Sequence, residues 1–247
     1  MATKTTARDN GRVVDTDGPV NLPPASQVME PAEKAIEITR PATERILVPV
    51  RGTTPLIMHR FSEKSRRQML DTMQGRRTPK TAKDPEADFE ASLYYLDRTS
   101  EETGRRLLGF PVLAFKAATV GAARFYGKEV SMTGLRQTLF FTGETGSDNM
   151  LMAPILGDVE MREDIVRVGQ GTDLRYRGEV SDWSTVLDVL YVTSSLTRGS
   201  VLSLIDAGGM GVGVGEWRPQ KNGTSGTYEV DPTRDVIVVG DERGGRS

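Results

Sequence analysis

Between His59 and Lys83 the chain carries eight cations, Arg60, Lys64, Arg66, Arg67, Arg76, Arg77, Lys80 and Lys83, against two acids, Glu63 and Asp71. Guanidinium forks and ammonium groups bind phosphate oxygens, so this density suits a phosphodiester backbone. Lys116 and Arg124, eight residues apart in a helix-forming stretch, fall close to one face and suit the same phosphate track. They fit two exposed, snorkelling side chains equally well. The next stretch, Asp84 to Glu102, holds seven acids against Arg98. This segregation has two readings: an anionic partner for the basic part, or a solvated loop neutralised by the acidic helix beside it.

His59 is the sole histidine. An imidazole can act as general acid or base near neutral pH, but no partner for it is legible in the sequence, and a structural role is the simpler reading. Glu160, Glu163, Asp164 and Asp173 are the acids best placed to gather around a divalent cation, yet Asp164 and Asp173 pair equally well with Arg162, Arg167, Arg175 or Arg177. The chain has no cysteine, which excludes disulfides, thiol catalysis and cysteine-based zinc sites. It also lacks the Gly-x-Ser-x-Gly elbow of hydrolases. No cofactor and no metal is expected.

The run Gly208-Gly209-Met210-Gly211-Val212-Gly213-Val214-Gly215-Glu216-Trp217-Arg218-Pro219 follows a helix-like segment and precedes strand-like residues. Nucleotide-binding loops have the reverse order, strand first and helix after. Gly209, Gly211 and Gly213 carry no Cβ, so a polymer can approach the main chain closely there. Trp217 and Arg218 offer a ring and a cation beside them; the indole suits base stacking or a subunit contact, or an anchor holding the loop to the core. Phe61 and Tyr228 are further stacking faces, although Phe61, beside a strand, reads first as core.

The elements that must position these groups are of mixed type. Residues 1–42 and 241–247 read as disordered tails, polar and without apolar period. Residues 43–240 read as one α+β domain with a basic helical and loop insertion at 59–102. Glu44 to Val50 alternates as a strand, Ser62 caps a helix to about Met73, and Asp84-Pro85 opens another to about Tyr95 with Phe89, Leu93 and Leu96 as its buried stripe. Gly109-Phe110-Pro111 introduces a helix with Leu113, Ala117, Val120 and Phe125 inward, ended by Gly127. Strand-like segments follow at 137–141, 151–155, 159–168, 173–177 and 185–192. A helix over 198–207 with Gly208 at C′ precedes final strands at 226–230 and 236–239. No apolar stretch approaches the ~20 residues of a membrane helix, and no secretory leader is legible at Met1 to Asp17.

Three segments, in order, resemble the RAMP superfamily of RNA-binding proteins from CRISPR systems. They are Ile46 to Ile57 with its Thr-Pro-Leu turn, Gly109 to Arg124 with its proline-containing turn and small-residue helix, and the helix followed by glycines at 208–215. The resemblance implies a ferredoxin-like (RRM-type) antiparallel sheet core, a glycine-rich loop near bound RNA, and self-association along the strand. Only Lys116 and Arg124 carry over cleanly from the second segment, where Ala114-Phe115-Lys116 replaces a Ser-Ser-Leu-Lys-like run. Some members cleave RNA with a histidine, which implies His59 as a candidate catalytic residue. The Gly215 to Pro219 sequence also resembles a group of bacteriophage proteins, which implies a viral origin and no activity. The combined expectation is a non-catalytic protein of the cytoplasm, the host's if viral, that binds single-stranded RNA or DNA. Its alternatives are a phage structural protein with the glycine loop as subunit interface, and a His59-dependent ribonuclease.

Overall fold

The computed structural model describes residues 38–76, 82–169 and 171–240. The expected terminal tails fall largely outside them, as do Arg77 and Lys80. The chain divides into two units, Met1–Arg40 and Pro41–Ser247. Of the first, residues 38–40 are exposed and without regular structure. All elements below belong to the second.

In chain order these are β1 (Thr43–Gly52), β2 (Leu56–Met58), α1 (Glu63–Met73), α2 (Pro85–Ser92), β3 (Tyr95–Thr99), β4 (Arg106–Pro111), α3 (Val112–Gly121), α4 (Met132–Thr138), β5 (Leu139–Thr142), β6 (Glu144–Gly146), β7 (Met150–Pro154), β8 (Val159–Val168), β9 (Gly171–Val180), β10 (Ser184–Val192), α5 (Arg198–Gly211), β11 (Tyr228–Val230) and β12 (Ile237–Val239). The fold is thus a mixture of helices and antiparallel sheets.

The main sheet runs β11-β1-β10-β5, every neighbour antiparallel, with β12 also against β1. Alternation along β1 sends Ile46, Val48 and Val50 to one side, where they face Val189, Leu187 and Thr185 of β10 in register. Helices α3 and α5 cover that side. Phe115 of α3, Trp183 before β10 and Tyr228 of β11 meet there edge to face or tilted, with ring centroids 5.4–6.3 Å apart. A second sheet, β2-β9-β8, is built on the long β8–β9 hairpin, paired from Val159↔Val180 to Val168↔Gly171. Short strands β3, β4, β7 and β6 close a small ring.

Several expectations need correction. The last helix does not stop at Ala207 but runs to Gly211, through Gly208, Gly209 and Gly211. A Cβ on Gly208 would come within 2.7 Å of the Ala118 carbonyl of α3, and one on Gly209 would overlap the Tyr228 carbonyl oxygen. The missing side chains let α5 press against α3 and β11, and this packing outweighs the ~1 kcal/mol propensity cost of each helical glycine. In α3 the buried residues are Val112, Phe115, Ala118, Thr119, Val120 and Gly121, so of the expected inward residues Val120 is buried, while Leu113 is 71% exposed and Ala117 and Phe125 are exposed as well. The helix begins one residue after Pro111, the end of β4, and that entry sets its phase. Its α-geometry ends at Gly121 and gives way to a 3-10 turn over Ala122–Tyr126. The acidic helix ends at Ser92, so Leu96 is buried from strand β3 rather than from a helix stripe. Residues 137–138 belong to α4, which has a Ser131 side-chain cap on Gly134 N. Tyr228, offered as a stacking face, is core, and Phe61, read first as core, is 57% exposed.

Candidate functional site

The chain leaving β2 and the chain leaving α5 meet. Glu216 N donates to Ile57 O at 3.0 Å, and a Cβ on Gly215 would lie 2.6 Å from the same oxygen. Gly213 and Gly215 have φ of +69° and +77°, the left-handed region open to glycine, and this lets the loop fold back. Val214 N then bonds Gly226 O at 2.8 Å. The meeting brings His59 Nδ1 to 3.3 Å from Glu216 Oε1. An ionised carboxylate only accepts, so the imidazole N–H donates. The His59 bond holds the Glu216 carboxyl below its ordinary range against the opposing effect of burial, and Arg177 and Arg218 add to the lowering by charge.

Beside this pair is a partly open cavity of about 220 Å³. One wall is Ala114, Ala117 and Ala118 of α3, and another is residues 212–215. Tyr94 and Phe110, ring centroids 5.5 Å apart, form an aromatic side. Glu216, His59, Arg218 and Gln220 supply its polar groups. Arg218 is oriented by its donation to Gly215 O at 2.8 Å and to Gln220 Oε1 at 3.3 Å. Tyr94 Oη donates to His59 O at 3.4 Å.

A buried ionic cluster adjoins it. Asp164 accepts from Arg162 at 2.8 Å and from Arg177 at 3.0 Å, and the Trp217 indole N–H points at it from 3.4 Å. Burial pushes the Asp164 carboxyl up, but the Arg162 and Arg177 bonds outweigh it and leave the group below its usual value. Trp217 itself has φ +53° and is 42% exposed. Its indole is tethered to the β8–β9 hairpin and leaves part of its surface open. Arg175 lies 3.9 Å from Asp173, which also pairs with Lys83. Among the described residues no group of three or more His, Asp or Glu side chains is placed to hold a metal.

The expected cations are only partly brought together. Arg60 and Arg66 converge on Asp148, at 3.0 and 2.7 Å. The Arg60 bond first, and Arg66 after it, hold that carboxyl below its ordinary value against burial. Lys64 reaches Asp88 of the acidic helix at 4.0 Å, and Lys83 also donates to Leu174 O. Arg67 and Arg76 are exposed on and just after α1, which buries none of its residues. Lys116 turns toward α4 and β5, donating to Arg136 O at 3.1 Å and lying 5.4 Å from the Phe140 ring centre. Arg124 is exposed in the 3-10 turn, whose tighter winding breaks the helical phase that would have kept it near Lys116. Gly209 is packed on Tyr228 and Gly211 on Phe125, so neither presents open main chain; Gly213 lines the cavity. His59 shares the cavity lining with Gly213 and Arg218, is followed in the chain by Arg60, and has Phe61 stacked on the imidazole at 6.0 Å, while Trp217 turns to Asp164.

Glu216, Tyr94, Asp148 and Arg177 are site residues that the sequence reading did not single out as such. Glu216 stands inside the glycine-run motif, but its partner is 157 residues away. No helix among the described residues is long and apolar enough to cross a membrane. No family model matches the chain, and no curated protein matches it.

Proposed function

We propose that the protein is a non-catalytic single-stranded nucleic-acid-binding protein built on a ferredoxin-like, RAMP-type core. The core assignment is supported by the order β11-β1-β10-β5, with α3 between β1 and β5 and α5 between β10 and β11. The binding reading is carried by one observation. Phe61, an exposed ring, stacks on His59, and Trp217, a second exposed ring, follows Glu216 in the chain; their sequence neighbours Arg60 and Arg218 add cations, with Arg66 joined to Arg60 through Asp148. Rings for bases beside cations for phosphates are what a sequence-tolerant single-strand site needs. Such a role goes with a cytoplasmic location. Fluorescence anisotropy with labelled single-stranded RNA and DNA at several salt concentrations tests it. Binding weakens as salt rises, and Arg66→Glu/Arg67→Glu weakens it further; no binding to either polymer at low salt ends the proposal.

A second reading, a His59-dependent ribonuclease, is favoured by the Glu216 partner, since a carboxylate on Nδ1 leaves Nε2 available as a base. RNA left intact by the wild-type protein, with and without magnesium, removes it. A third, self-association or a structural role in a phage particle, is favoured by Met69, Leu70 and Met73, exposed along α1. Light scattering that finds a monomer with and without oligonucleotide removes that one.

A further inference from the structure

We infer that the cavity between α3 and the 212–218 loop holds one nucleobase turned out of the bound strand, and that Glu216 selects bases carrying an exocyclic amino group. The inference rests on the strand-binding reading and gives that site a base preference. Size argues first. At about 220 Å³ the cavity is below the ~300–1,000 Å³ of pockets that enclose drug-sized ligands, so it fits one planar ring and not a whole nucleotide.

Shape argues next. The short side chains of Ala114 and Ala117 line one wall, the 212–215 segment lines the other, and Tyr94 and Phe110 give the space an aromatic side. Bases splayed from single strands are held in this way, by ring contacts and by bonds to their edges.

The polar groups then decide which base. Glu216 Oε1 accepts from His59, and Oε2 remains to accept from a ligand. The anionic state favours a donor at that point and repels a carbonyl. Cytosine and uracil differ there: cytosine presents an amino group where uracil presents an oxygen. The bonds from Arg218 to Gly215 and Gln220 fix the cation at the rim, where a phosphate joined to the base can be met.

The experiment compares short labelled oligocytidine and oligouridine, and their deoxy counterparts, on the full chain by anisotropy at one low salt concentration. These pairs have equal charge, so phosphate contacts cancel. Cytidine polymers are expected to bind about tenfold more tightly, the factor of one charge-assisted hydrogen bond. Glu216→Gln is expected to erase the difference. Ala117→Trp, at an exposed helix position that lines the cavity, is expected to bring cytidine affinity down to that of uridine. Equal wild-type affinity for the two, or a preference that survives both substitutions, overturns the inference and leaves strand binding standing. Failure to bind any of the polymers overturns the strand-binding reading, and this inference with it.

Discussion

Asp164 and Arg177 carry the largest consequence of any single pair. Both are nearly out of water, at 7% and 3% exposure of the side chain. Asp164→Ala leaves a buried guanidinium without its anion and is expected to cost about 3–5 kcal/mol by chemical denaturation. The depressed Asp164 pKa sets the direction of a pH effect. The unfolded chain binds a proton near the ordinary value of 3.8 while the folded carboxylate still resists it. The pair's stabilisation is therefore complete above that value and lost as pH falls through the lower folded value. Denaturation midpoints should drop below about pH 4, and Asp164→Asn should flatten that part of the profile. The sequence named Asp164 as either metal ligand or ion-pair partner, with Arg162 and Arg177 among the candidate partners. It could not choose, because the choice depends on the β8–β9 register. His59 was visible as a lone imidazole, but Glu216 as its partner depends on a loop closure across most of the chain.

Helix α5 turns a glycine-rich sequence into a packing surface. Gly209→Ala should destabilise by about 1–3 kcal/mol, because the new methyl meets the Tyr228 carbonyl and overpacking outweighs the gain in helix propensity. Gly199→Ala, on the same helix with its nearest neighbour 4.0 Å from the added carbon, should be neutral or stabilise by up to ~1 kcal/mol. Differential scanning calorimetry of the two variants separates packing from propensity. Strands with clear alternation, β1, β8 and β10, were legible because each has one buried face or a long partner. β2, β3 and β6 were not: three to five residues carry too little periodicity, and their pairing is decided by neighbours far away in sequence. The start of α1 at Ser62 was legible, since its hydroxyl accepts from Ser65 N at 3.1 Å as an N-cap should. What α1 packs on was not, because none of its residues is buried and Arg66 and Lys64 tie it to the fold by ion pairs with Asp148 and Asp88.

For the molecule as a whole, the placement of β1 decides the architecture: it pairs on both sides and sends Ile46, Val48 and Val50 under both main helices. Phe115 is the side chain on which Phe110, Trp183 and Tyr228 all converge. Phe115→Ala is therefore expected to cost about 3–5 kcal/mol, read as a lowered denaturation midpoint. The same frame brings two segments about 157 residues apart, at His59 and Glu216, to one place with rings and cations around them. The central claim is that this place binds a single nucleic acid strand, and salt-dependent anisotropy with labelled single-stranded RNA and DNA tests it most directly. With three or four phosphates neutralised, the logarithm of affinity should fall against the logarithm of salt with a slope between about −2 and −3. Arg66→Glu/Arg67→Glu should make that slope shallower. Undetectable binding to both polymers at low salt, or affinity indifferent to salt and to the substitutions, would contradict the account.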